Sequence, residues 1–259
     1  MSDRLSTEVS MLKEDFKKRS ANEDIDRFRY PPEGNQDVSP GTGVKELTSE
    51  NTTGNVFVTG NTVIDAFQTT INSNYRFHND QIRNIDYKAN RVILVTAHRR
   101  ENLGEPLKNI CRAIRRLVDN MKDVKVVYPV HLNPAVRESV YAILGNHDNV
   151  ILTELLDVLD MHNLMDRSYM VMTDSGGLQE EAPACGKPVL VMRTETERPE
   201  AVEAGTVKVV GTEEDTIYSA AAQLLQDEME YCKMAKAVNP YGDGHASERI
   251  VEIILKIFV

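Results

Sequence analysis

From residue 55 onward the chain alternates short, uniformly apolar runs with longer amphipathic ones, and that alternation restricts its fold more than any other feature. The run over residues 91–97, Arg-Val-Ile-Leu-Val-Thr-Ala, has no polar side in its middle to turn toward water. A strand of that kind needs cover on both faces, and a helix between successive strands supplies it while returning the chain in the same direction. Strands are expected over residues 55–58, 91–97, 125–130, 150–153, 169–173, 188–192 and 206–210. Helices are expected over residues 61–67, 106–120, 133–144, 158–166, 178–184, 213–227 and 247–258. The expected fold class is α/β: a doubly wound, Rossmann-like parallel sheet, whose ligands sit beyond the carboxyl ends of the strands.

Residues 1–50 differ from this pattern. They carry many charges, few aliphatic clusters and the loop-like run Tyr30-Pro31-Pro32-Glu33-Gly34, with one amphipathic helix over residues 5–16 and a linker at residues 40–43. They are expected to be an atypical, poorly ordered leader, and residues 51–259 to be the ligand-binding domain. The formal net charge of −10 argues against a nucleic-acid or anionic-membrane partner, so any phosphate ligand needs a local site. Cys111, Cys185 and Cys232 are an odd, sparse set without metal-type spacing; no metal is expected, and a reducing, cytoplasmic setting suits them. The first residues show no signal core, and no apolar stretch is long enough to span a bilayer.

One stretch carries most of the chemistry: Thr173-Asp174-Ser175-Gly176-Gly177-Leu178-Gln179-Glu180-Glu181-Ala182-Pro183. It reads as a buried strand entering a glycine turn that opens a helix. Free backbone N–H groups and the positive end of the helix dipole then face the ligand, an arrangement that suits a diphosphate. Glu180 and Glu181 are expected on the first turn of the helix, where one can reach the hydroxyls of a sugar. Neighbouring helix residues diverge, so only one of them faces the pocket. A packing turn, with Ser175 as a plain N-cap and the glutamates as dipole partners, explains the same residues.

Other strand ends add candidates. Thr96-Ala97-His98-Arg99-Arg100-Glu101-Asn102 puts a histidine and two arginines where a phosphate can be held or a proton delivered. Tyr128-Pro129-Val130-His131-Leu132-Asn133-Pro134 repeats the placement; an N-cap explains Asn133 and Pro134 and leaves His131 open. Arg198, in Thr194–Glu200, either closes over phosphates or belongs to a charged surface loop. His78, His147, His162 and His245 read as surface or packing residues, and residues 239–244 as an interhelical turn or a loop near the ligand.

Taken together these strings resemble the non-hydrolysing UDP-N-acetylglucosamine 2-epimerases. The resemblance rests on residues 58–66, 96–102, 129–134, 173–183, 186–193, 197–202, 204–207 and 239–244, and runs from about Glu46 to the C-terminus. It implies the C-terminal half of a two-Rossmann-domain, glycosyltransferase-type (GT-B) architecture. The implied reaction interconverts UDP-GlcNAc and UDP-ManNAc. UDP leaves by anti elimination to give a 2-acetamidoglucal and adds back with C2 inverted; no cofactor is implied. His98 would be catalytic, at the phosphates or leaving group. Ser175, Gly176 and Gly177 would hold the diphosphate, Glu181 the ribose hydroxyls, and Arg198 the nucleotide-sugar. Arg99 and His131 match the place where bacterial members bind a second, activating UDP-GlcNAc. Such enzymes supply cell-surface polysaccharide synthesis.

The strings of the family's N-terminal domain, with its acidic residues for the C2 proton, have no counterpart in residues 1–45. The chain therefore reads as an epimerase impaired by truncation, or as a catalytically inactive UDP-binding module that pairs as a homodimer or with a chain supplying the other domain. A glycosyltransferase shares the fold but not the run of strings. Val158 and Met161 stand where the family has aromatics near the uracil, and His245 where it often has Lys.

Overall fold

A computed structural model describes residues 57–258. The leader expected over residues 1–50, with its helix over residues 5–16, lies outside the described residues. Six strands form one all-parallel sheet: β1 (Arg91–Thr96), β2 (Val124–Pro129), β3 (Val150–Thr153), β4 (Met170–Thr173), β5 (Val189–Val191) and β6 (Val207–Val209), in the order β3-β2-β1-β4-β5-β6. The order reverses between β1 and β4, and in a doubly wound sheet the crevice at that reversal is where ligands bind.

The two faces explain the apolar runs. Ile93 and Val95 of β1 pack on one face with Leu107, Ile110, Ile114 and Leu117 of helix α3 (Glu105–Asn120), which follows α1 (Thr62–Thr70) and α2 (Asp80–Arg83). Helices α4 (Pro134–Leu144) and α8 (Glu214–Gln226) complete that layer through Val136, Val140, Ile217 and Leu224. Val92 and Leu94 point the other way, toward Ile64 and Phe67 of α1 and Leu164 of α5 (Val158–Arg167). The same layer takes in Leu178 of α6 (Gly176–Ala184) and Ala201 of α7 (Pro199–Ala204). Alternation along a strand thus feeds two cores, so neither side can be polar. Helices α9 (Glu228–Ala235) and α10 (Ala246–Phe258) end the described chain. Among the described residues no helix is long and apolar enough to cross a membrane.

The expected α/β class is found, with corrections. Phe57 and Val58 join no strand; they are exposed, and the backbone just after them is bonded elsewhere. Asn61 N–H donates to Tyr241 O at 2.7 Å and Arg249 donates to Thr59 O at 3.2 Å. Gly60 sits at φ +93°, and a Cβ there would meet Tyr241 O at 3.3 Å, so this approach needs glycine. The charged stretch before Pro199 leads into helix α7, with Pro199 at its first position, and the region after Asp227 is helix α9.

Candidate functional site

Strands β1 and β4 end side by side, and their last side chains bind each other: Thr96 Oγ1 and Thr173 Oγ1 are 2.7 Å apart. The next residue on β4, Asp174, is fully buried, and one of its oxygens organises the loop after β1. Asp174 Oδ2 accepts the backbone N–H of His98 and of Arg99, both at 2.8 Å, and the Asn102 amide at 3.0 Å. Asn102 also donates to Met192 O at 3.1 Å, which ties the same loop to the end of β5. Arg193 adds a second clasp, reaching Glu101 at 3.0 Å and gripping both Glu197 oxygens at 2.8 and 3.0 Å.

Ser175 occupies the N-cap position of α6 but makes no capping bond with its side chain; its N–H donates to Thr173 Oγ1 at 2.9 Å. Helix α6 then begins at Gly176. A Cβ placed there would lie 3.6 Å from one Arg198 Nη and 3.8 Å from one Arg99 Nη. Two guanidinium groups therefore converge on the first residue of a helix whose leading N–H groups have no helical partner. Fixed positive charge and oriented donors at one point make an anion site.

Arg198 does not wave in a surface loop. It is 3 % exposed, its Nε pairs with Glu180 Oε1, and its own N–H donates to Thr196 Oγ1 at 3.0 Å. The other Glu180 oxygen accepts from the Asn61 amide, and Asn239 donates to Glu180 O at 3.2 Å. The strings around Asn61 and Asn239, far apart in sequence, thus brace the glutamate that holds Arg198. The loop at residues 239–244 supports the site from behind.

The two glutamates do diverge, but they lie on the second turn of α6, because the helix starts only at Gly176. Glu180 is turned inward to Arg198. Glu181 leans back toward the turn, its Oε1 3.3 Å from where a Gly177 Cβ would be. Burial and the neighbouring Glu180 charge both push the Glu181 carboxyl above its ordinary range.

His98 and His131 are stacked, centroids 4.9 Å apart at 21°. His131 Nδ1 accepts the Asn133 N–H at 3.1 Å, and Asn133 caps α4 as expected, receiving the Ala135 N–H at 3.0 Å. Ser175, Gly176, Gly177, His98, Arg99, His131 and Arg198 therefore share the carboxyl edge of β1, β2, β4 and β5. Arg99 stands with Arg198 at the glycine turn.

His162, read from sequence as a surface or packing residue, is buried at 5 % exposure beside this site: its Nε2 is 3.8 Å from Glu181 Oε2. Thr70, His162 and Glu181 lie on three separate helices, so no local motif links them. The remaining histidines lie beside acids near the surface: His78 by Asp157, His147 by Asp119 and His245 by Glu248. Among the described residues His78, Asp157 and Asp160 have metal-type proximity. Their oxygens are already engaged: Asp160 accepts from Tyr75 OH and from the N–H groups of His78 and Asn79, and Asp157 caps α5.

Strand order and switch point define a Rossmann-type α/β domain. Comparison with known proteins supplies the family: the UDP-N-acetylglucosamine 2-epimerase family model matches residues 38–255, and the chain belongs to that family. A Thermotoga maritima relative is 59% identical over 214 residues, covering 83% of this chain and 57% of its own length. The UDP-N-acetylglucosamine 2-epimerase of Bacillus subtilis is 57% identical over 201 residues, covering 77% of this chain and 52% of its own. The chain thus spans a little over half the length of these curated relatives. A Staphylococcus aureus structure solved with UDP superposes at TM-score 0.78 with 51% identity, covering 84% of this chain and 60% of that one. The Neisseria meningitidis UDP-GlcNAc 2-epimerase bound to UDP-GlcNAc superposes at 0.75 with 44% identity, covering 84% and 60%.

Proposed function

We propose that this chain carries the UDP-binding site of a UDP-GlcNAc 2-epimerase, the enzyme that interconverts UDP-GlcNAc and UDP-ManNAc by elimination and re-addition of UDP. The observation that carries the reading is the convergence of Arg99 and Arg198 on Gly176 at the start of α6. There the β-phosphate would gain charge as the glycosidic C–O bond breaks, and fixed guanidinium groups and N–H donors would stabilise it without rearranging. Ser175, Gly176 and Gly177 hold the diphosphate, Glu181 takes the ribose hydroxyls, and His98 stands at the leaving group. Arg99 and His131 border the place of a second, activating nucleotide-sugar.

Proton transfer at C2 is assigned outside the described residues. The acids around the turn are committed elsewhere: Asp174 to the β1 loop, Glu180 to Arg198, and Glu101 and Glu197 to Arg193. On this reading the chain binds UDP, and epimerises only with a further domain in its own or a partner chain. Calorimetric titration with UDP and with uridine tests the phosphate reading. UDP should bind and uridine far more weakly; equal affinities would contradict it.

A further inference from the structure

His162 is placed to act on the site through Glu181. Its Nδ1 lies 2.8 Å from Thr70 Oγ1, and that hydroxyl donates its one hydrogen to Ala66 O at 2.9 Å. The Thr70 oxygen therefore meets Nδ1 with a lone pair, and Nδ1 carries the hydrogen. A neutral ring in this tautomer turns the bare lone pair of Nε2 toward Glu181 Oε2, 3.8 Å away. Two acceptors facing each other in a buried place repel; at 3.8 Å no hydrogen bond joins them, and a single proton between them would draw them together. Phe67 packs edge-on against the ring at 4.6 Å, which fixes its plane.

We infer that His162 is a positioning residue: a small side-chain rotation closes the 3.8 Å gap to Glu181 into a hydrogen bond in which the two share one proton, and this holds the carboxylate toward the glycine turn and sets the preference of the site for a nucleotide bearing ribose hydroxyls. This rests on the reading of Glu181 as the ribose ligand. Ribose hydroxyls donate to the carboxylate and favour its charged form; the proton then belongs to Nε2, and an imidazolium faces a carboxylate. The charges around the pair are few. Glu180 is the next residue on α6 and is itself paired to Arg198, and the Cys185 thiol at the end of α6 is kept neutral, pushed up to about 12 by burial and by the Asp166 and Glu181 charges. Burial lowers the pKa of His162, and burial together with the Glu180 charge raises that of Glu181.

Two measurements on the full chain test this. Nitrogen-15 NMR of the histidine rings should show His162 with its hydrogen on Nδ1 and an Nε2 signal that moves in Glu181→Gln. Hydrogen on Nε2 alone, or an Nε2 signal indifferent to Glu181→Gln, overturns the shared proton. Titration with UDP and 2′,3′-dideoxy-UDP reads the preference. His162→Phe keeps the ring shape and should weaken UDP about tenfold, the scale of one charge-assisted hydrogen bond, while leaving the dideoxy nucleotide unchanged. His162→Gln, which keeps a donor, should recover part of the loss. Equal weakening of both nucleotides, or none, overturns the positioning role. If the wild type binds both equally, the ribose reading fails and takes the preference with it, and the shared proton is then judged by the NMR shift alone.

Discussion

Asp174 Oδ2 and the Asn102 amide meet at 3.0 Å beneath the loop after β1, and the same amide reaches Met192 O at the end of β5. One buried carboxylate oxygen thus joins three strand ends. The other Asp174 oxygen is buried without a hydrogen-bond partner. Asp174→Asn places an N–H₂ in one of these two positions: it either loses the acceptor or leaves a buried donor unmatched. We expect a loss of about 1–3 kcal/mol of stability. Thermal unfolding should read it as a fall of about 2–4 °C per kcal/mol. UDP binding should weaken too, because His98 and Arg99 are held by this oxygen. An unchanged Tm would contradict the account.

Much of this was legible in the sequence. All six strands expected after residue 90 stand within a residue of their places, because strands buried on both faces leave an uninterrupted apolar signal. The strand expected over residues 55–58 is absent at its described end: Phe57 and Val58 are apolar but exposed and join no sheet edge. The glycine turn and its flanking histidines were visible as strand-end motifs. The Glu180–Arg198–Asn61 brace and the His162–Glu181 contact were not, since each joins separate elements that only the packed fold brings together.

Glu180 and Glu181 should separate cleanly. Glu180→Ala removes one carboxylate partner of a buried arginine and should cost about 3–5 kcal/mol of stability. Glu181→Ala should instead cost about 1–3 kcal/mol of UDP binding with the fold intact. Calorimetry and thermal melts on both variants decide it. If Glu180→Ala melts like wild type while Glu181→Ala unfolds, the roles are reversed.

The same glutamate sets a pH dependence. The folded-state pKa of Glu181 is raised above its unfolded value by burial and by Glu180. The folded protein therefore binds this proton more tightly, and the group opposes folding once pH rises above the ordinary glutamate range. Glu181→Gln should remove that penalty. The variant should gain stability relative to wild type as pH rises above the ordinary glutamate range. A constant difference across that range would contradict the sign.

Turnover provides a separate test. Incubated with UDP-GlcNAc in deuterated water, the chain alone should give no sustained exchange at C2, because C2 proton transfer is assigned outside the described residues. NMR of the sugar reads it directly. Steady deuterium incorporation would place the proton-transfer groups within this chain.

His98, Arg99 and Ser175 are only half-buried, so solvent and salt reach the phosphate contacts. UDP affinity should fall steeply between low salt and about 1 M, where the screening length shrinks to about 3 Å. Tight binding that ignores salt would contradict this.

The most direct measurement is UDP titration of Gly176→Ala. An added Cβ would stand 3.6 Å from Arg198 and 3.8 Å from Arg99, ordinary contact distances, so the fold accepts it. Alanine in a helix is also favoured over glycine by about 0.5–1 kcal/mol. Yet the methyl would fill the point between the two guanidinium groups where the diphosphate is placed. The Tm should be unchanged or raised while UDP binding is lost. A variant that melts normally and binds UDP as tightly as wild type would contradict it.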